Sequence, residues 1–180
     1  MTIFPYICTF FYHKMKVYRL IIVTFILCLY GCGGQKEDNS ITKKEIFHKV
    51  FYHATTQTYE WDRIFDTVAA DVDITKETTF DLSLRISFTD DYQYNDLPLV
   101  FSVLDEYENP YRTRPYKLTV KDKEGHWNVE KSDGCYTYTL PLNKELKIID
   151  PGKYRFLLEQ RMPITPLMGV KEVTLVNEAK

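Results

Sequence analysis

Phe80-Asp81-Leu82-Ser83-Leu84-Arg85-Ile86-Ser87-Phe88 decides the fold. Large apolar residues take every second position and polar ones the positions between, and in an extended chain successive side chains point to opposite faces. The stretch is a strand with one face in a core and the other toward solvent. Leu97, Leu99, Phe101 and Val103 repeat the pattern, with Pro98 on the opposite face, as at an edge or near a strand start. Tyr136, Tyr138 and Leu140, then Tyr154, Phe156 and Leu158, then Val173 and Leu175 add alternating sets, and Leu118 with Val120 a short one. Turn residues punctuate them at Asn109-Pro110, Lys123-Glu124-Gly125, Asp133-Gly134 and Asp150-Pro151-Gly152. About seven strands between such turns predict an all-β fold, a single β-sandwich of immunoglobulin-like or jelly-roll type. The Cys-Trp-Cys pattern of a true immunoglobulin domain is missing.

Upstream the character of the chain changes. Lys14, Lys16 and Arg19 precede an apolar run over 20–30, which is too short to cross a hydrocarbon layer of about 30 Å as a helix. Leu29-Tyr30-Gly31-Cys32 closes the run with a branched apolar residue, a small residue before the cut and a thiol to acylate, the pattern of a bacterial lipoprotein signal. Residues 1–31 therefore read as a signal peptide, with Met15 a more natural start than Met1 and 1–14 an upstream extension. Lipidated Cys32 opens a flexible tether over 32–54, and the sandwich follows over 55–180. Gly33-Gly34-Gln35 and the polar residues to Ser40 have spacer composition. Within it Lys36-Glu37-Asp38 resembles the signal that sends lipoproteins of Bacteroidota to the cell surface, and equally suits a solvated charged spacer. Residues 40–51, with Ser40 as N-cap and Ile46, Phe47, Val50 and Phe51 at helical spacing, predict either a short amphipathic helix or an extended arm.

Charge and cysteines narrow the partners. The chain has 23 basic and 25 acidic residues, and loss of Lys14, Lys16 and Arg19 with the leader leaves 20 against 25, a net charge of −5. A mildly acidic surface argues against nucleic acid and against a polybasic membrane contact. Acyl chains on Cys32 anchor without such help, since each buried CH₂ contributes about 0.8 kcal/mol. Cys8 and Cys28 fall in the leader and Cys32 takes the lipid, so Cys135 stands alone and the apolar core has to supply the stability. At a strand start beside Gly134, Cys135 reads as a small buried group.

Catalytic chemistry is sparse. His48 and His53 lie five apart and turn to different faces of a helix or strand, and His126 sits in a turn without a second histidine or a cysteine near it in sequence. Asp71 with Asp73 and Asp90 with Asp91 lack the glycine and closing glutamate of a calcium loop. There is no Gly-x-Ser-x-Gly elbow and no phosphate-cradling glycine loop. The expectation is a protein without enzymatic activity, cofactor or metal. Fourteen tyrosines exceed what one sandwich core requires. Tyr92, Tyr94, Tyr107, Tyr111 and Tyr116 cluster around the second and third strands. They fit cross-strand pairing, a glycan platform, or a protein interface in which Tyr92, Tyr94, Tyr111, Arg112 and Arg114 bind the partner.

Tyr92-Gln93-Tyr94-Asn95-Asp96-Leu97, Glu124-Gly125-His126-Trp127, Gly152-Lys153-Tyr154-Arg155-Phe156, Gln160-Arg161-Met162 and Leu167-Met168-Gly169-Val170 occur in this order. In order and spacing they resemble the gliding-motility lipoprotein GldH family over about 60–178, and the lipid cysteine agrees with it. Pro163 departs from the pattern, which has a basic residue after the methionine. The resemblance implies an outer-membrane lipoprotein of Bacteroidota, non-catalytic and associated with gliding and type IX secretion, with an envelope protein as partner. A surface glycan-binding lipoprotein is the alternative.

Overall fold

The computed structural model describes residues 45–179, so the expected signal peptide, Cys32 and Lys36-Glu37-Asp38 lie outside the described residues. Among the described residues there are twelve strands: β1 (Glu45–Val50), β2 (Tyr52–His53), β3 (Thr58–Trp61), β4 (Val68–Ile74), β5 (Thr78–Phe88), β6 (Asp96–Leu104), β7 (Pro110–Thr119), β8 (Lys131–Ser132), β9 (Cys135–Ile148), β10 (Gly152–Gln160), β11 (Leu167–Met168) and β12 (Val170–Asn177). All pairings are antiparallel. One sheet runs β1-β12-β5-β9-β8, a second β4-β10-β6-β7, and a small third β11-β3-β2.

β5 behaves as its alternation requires. Phe80, Leu82, Leu84, Ile86 and Phe88 are all buried, whereas Arg85 is exposed. The two large sheets meet through these side chains, with the Phe80 ring 5.4 Å from Phe156 of β10 and Phe101 of β6 6.1 Å from the same ring. This inter-sheet layer is the core of an all-β sandwich. Ser83 and Ser87, placed on the outer face by periodicity, are also buried. Neighbouring strands cover them and satisfy their hydroxyls: Ser83 donates to Glu178 at 2.6 Å and Ser87 to Glu172 at 3.1 Å.

Three local expectations change. Residues 45–50 form β1, paired with β12 from Glu45↔Val176 to Val50↔Glu172, so the extended arm is present and the helix is not. Helical spacing in so short a run loses to a free β12 edge that satisfies every second backbone group. For the same reason the tether assigned to 32–54 overlaps the fold, since β1 and β2 both precede residue 55. Pro98 does not mark an edge: β6 lies between β10 and β7. The carbonyl of Pro98 accepts Arg161 N–H at 2.9 Å, just beyond the last β10–β6 pair, so its missing donor falls where the ladder ends.

β7 is much longer than Leu118 and Val120 predict, because its polar residues read as loop. Tyr116 donates its hydroxyl to Leu142 O and Tyr111 to Lys147 O at 2.9 Å, tying this edge strand to β9 across the open side of the sandwich.

Candidate functional site

Strand directions separate two ends. The chain enters β1 beside Val176 and Asn177, the end that also holds the β6–β7 and β9–β10 turns. The other end is built from loops 62–67, 89–95, 120–130 and 161–166 and the small third sheet, and loops on a rigid scaffold are where recognition groups concentrate.

Most residues behind the family resemblance lie at this loop end and hold it together. Tyr92 is fully buried, its ring 4.6 Å from Phe88, and donates its hydroxyl to Asp96 O at 2.8 Å. Burial pushes its phenol well above the ordinary range. Gly169, at φ +81°, donates to Tyr59 O at 2.8 Å and accepts from Thr89 N. A Cβ there would lie 2.2 Å from Tyr92 N, so the backbones of loops 89–95 and 161–169 touch only because residue 169 is glycine. Trp127 stacks on Tyr136 at 3.8 Å, and Lys121 lies 4.4 Å over the indole while donating to Tyr92 O at 2.6 Å. Asp90 pairs with Lys131, which holds the Asp90 carboxyl below the usual carboxylate range.

Beside this cap lies a slot of about 200 Å³, lined by Trp61, Arg63, Asp66, Thr67, Val68 and the end of β10 from Leu157 through Gln160 to Arg161. Loop 62–67 is held over it by Arg63 Nη1 donating to Met162 O at 2.9 Å and Thr165 Oγ1 to Asp62 Oδ1 at 3.0 Å. Gln160 is 1% exposed; its Oε1 accepts Met162 N–H at 2.8 Å, while Nε2 has no partner. Outside the lining, the loops on either side carry exposed apolar side chains: Phe65 is 83% and Ile64 66% exposed in loop 62–67, and Ile164 38% in loop 161–166.

The five expected partner-binding residues do not form one patch. Tyr92 is a core residue and offers no ring to a partner, a correction that follows from its packing beneath Gly169. Tyr94 is half-buried at the loop end, 5.7 Å edge-on to Tyr92. Tyr111, against Tyr154 at 5.5 Å, and half-buried Arg112 lie near the opposite end, while exposed Arg114 lies midway along β7. Exposed aromatics divide likewise, Phe65 and Tyr52 at one end and Tyr107 and Tyr111 at the other, so they form no single flat row for a sugar chain. Ile64, Phe65, Ile164 and Gln160 were missed by sequence reasoning. The apolar pair 64–65 between charged neighbours was the signal for the first two, and Gln160 entered only within the Gln160-Arg161-Met162 stretch behind the resemblance, with no role of its own.

His126, which has no second histidine or cysteine near it in sequence, has two carboxylates close by. Asp122, Glu124 and His126 place ligand atoms within 4.8 Å of one another in the β7–β8 turn. Asp122 is already occupied, accepting His126 N–H at 2.8 Å and facing its Nδ1 at 3.2 Å. That backbone bond is the chief cause of its lowered carboxyl pKa. The cysteine expectation agrees with the structure: Cys135 is buried, with Lys171 Nζ 3.3 Å from its sulfur. No helix among the described residues is long and apolar enough to cross a membrane.

The architecture is that of a β-sandwich module presenting a loop-built end. A family model described as GldH lipoprotein matches residues 49–176, and the chain belongs to the GldH lipoprotein family. The match reaches back through the end of β1, and a lipoprotein is held to a membrane by its lipid. No curated protein matches the chain.

Proposed function

We propose that the chain is a non-catalytic, outer-membrane lipoprotein, anchored through Cys32, that docks on an envelope machine associated with gliding and type IX secretion. Family membership over 49–176 carries the reading, supported by the Leu29-Tyr30-Gly31-Cys32 pattern and the basic n-region. The docking face is the loop end, since the chain joins the sandwich at the other one. The test is genetic: deleting the gene in its host should lower the amount of type IX cargo in the medium, and a Cys32→Ala copy should fail to restore it. Unchanged secretion and gliding in the deletion strain would refute the proposal.

A further inference from the structure

β4 stops short of its neighbour. Its last pair is Val68 with Leu158, whereas β10 runs on to Gln160, still paired with Leu99 of β6 on the other side. Glu159 and Gln160 thus have a strand on one side only. Where β4 would continue lies the slot, walled on its far side by Arg63, Asp66 and Thr67. In antiparallel sheets the N–H and C=O of one residue point to the same neighbour, and successive residues alternate. Arg161 donates toward Pro98 of β6, so Gln160, one residue earlier, turns its backbone groups to the slot.

The Gln160 side chain adds to this. Its oxygen is identified by the Met162 N–H it accepts, so the unpartnered atom is the amide nitrogen, a buried donor. Buried donors are nearly always paired, and an unpaired one marks a place where an acceptor belongs. The charged residues of the lining balance in number, Arg63 and Arg161 against Asp66 and Glu159; Arg161 lies on Glu159 at 3.0 Å, Asp66 on Lys49 at 3.4 Å, and Arg63 donates from Nη1 to Met162 O at 2.9 Å. The fitting acceptor is therefore neutral. We propose that the slot binds an extended, uncharged peptide segment of a protein partner, which pairs with β10 as the strand β4 does not supply and gives a main-chain carbonyl to Gln160 Nε2. This names the docking chemistry and, for the nature of the partner, rests on the docking reading.

The experiment has two arms. In the first, N-methylacetamide, a single peptide bond, is titrated into the ¹⁵N-labelled mature chain produced without its lipid. Saturable shifts confined to the Gln160 side-chain amide and the backbone of 159–161 are expected, with sodium acetate weaker by about tenfold or more, the worth of one hydrogen bond. Gln160→Met should weaken the response equally. Thr67→Trp, which fills the slot mouth from an exposed position, should do the same if the first variant fails to fold. In the second arm, a photo-crosslinker replaces Phe65 or, at the opposite end, Tyr107 in cells. Capture of an envelope protein from Phe65 alone, through an uncharged extended segment, supports the proposal. Absence of saturable shifts, or acetate binding as well, overturns the slot chemistry while leaving docking intact. Capture from Tyr107 alone, of a second copy of this chain, or of nothing overturns the partner assignment even where the peptide bond binds.

Discussion

Gly169→Ala tests the architecture of the loop end most directly. The position has φ +81°, and an added Cβ would stand 2.2 Å from Tyr92 N and 2.6 Å from Tyr92 Cα. Backbone cannot swing aside as a long side chain does, so loop 89–95 has to shift, together with the buried Tyr92 ring and its bond to Asp96. The left-handed conformation costs an L residue about 1–3 kcal/mol, and forcing extra volume into a packed site about 1–3 more. The sum is about 2–6 kcal/mol against a total stability of about 5–15. Gly134, at φ +76° with nothing within 4 Å of a built Cβ, is the internal control: Gly134→Ala carries the conformational cost alone. Urea denaturation of the mature chain, followed by tryptophan fluorescence, should place the Gly169→Ala midpoint well below that of Gly134→Ala with an unchanged slope. Equal midpoints would mean that the Gly169–Tyr92 contact does not exist, and the account of how the loops are held would fail.

Cys32→Ala should leave the protein unlipidated and in the soluble fraction; metabolic palmitate labelling reads this, and membrane partitioning equal to wild type would sink the anchor. Leu84→Ala, at a fully buried position, should cost about 2–5 kcal/mol and Arg85→Ala far less by chemical denaturation; reversed effects would mean that the faces of β5 are inverted. Acid should weaken the fold through carboxylates such as Asp71, whose pKa is lowered chiefly by its hydrogen bond from Arg155 at 2.9 Å. A depressed folded pKa stabilises above the unfolded value and loses that contribution as pH falls through the folded one. The stability gap between wild type and Asp71→Asn should therefore be small at neutral pH, because the pair is solvent-exposed, and close on acidification; a gap that widens in acid refutes the sign.

The chain by itself determined the strand faces and the class of fold. Period-two alternation over 80–88 and 97–103 admits one burial pattern, and Tyr154, Phe156 and Leu158 of β10 are buried as their spacing requires. Strands whose exposed residues are polar on both sides, such as β7 with Arg112, Thr113 and Arg114, stayed hidden, because their burial depends on a partner strand and not on their own pattern. β1 stayed ambiguous for the same reason: what makes residues 45–50 a strand is the free edge of β12, far away in sequence. The site was less legible still. Tyr92 looks like an interface residue until Gly169 is seen pressed against its backbone, and Gln160 matters only because β4 begins at Val68, opposite Leu158, and because its side-chain amide nitrogen meets no acceptor. Alternation is a local property that a sequence displays directly, whereas an unpaired donor and a missing strand neighbour arise from which distant segments meet, and only the tertiary structure decides that.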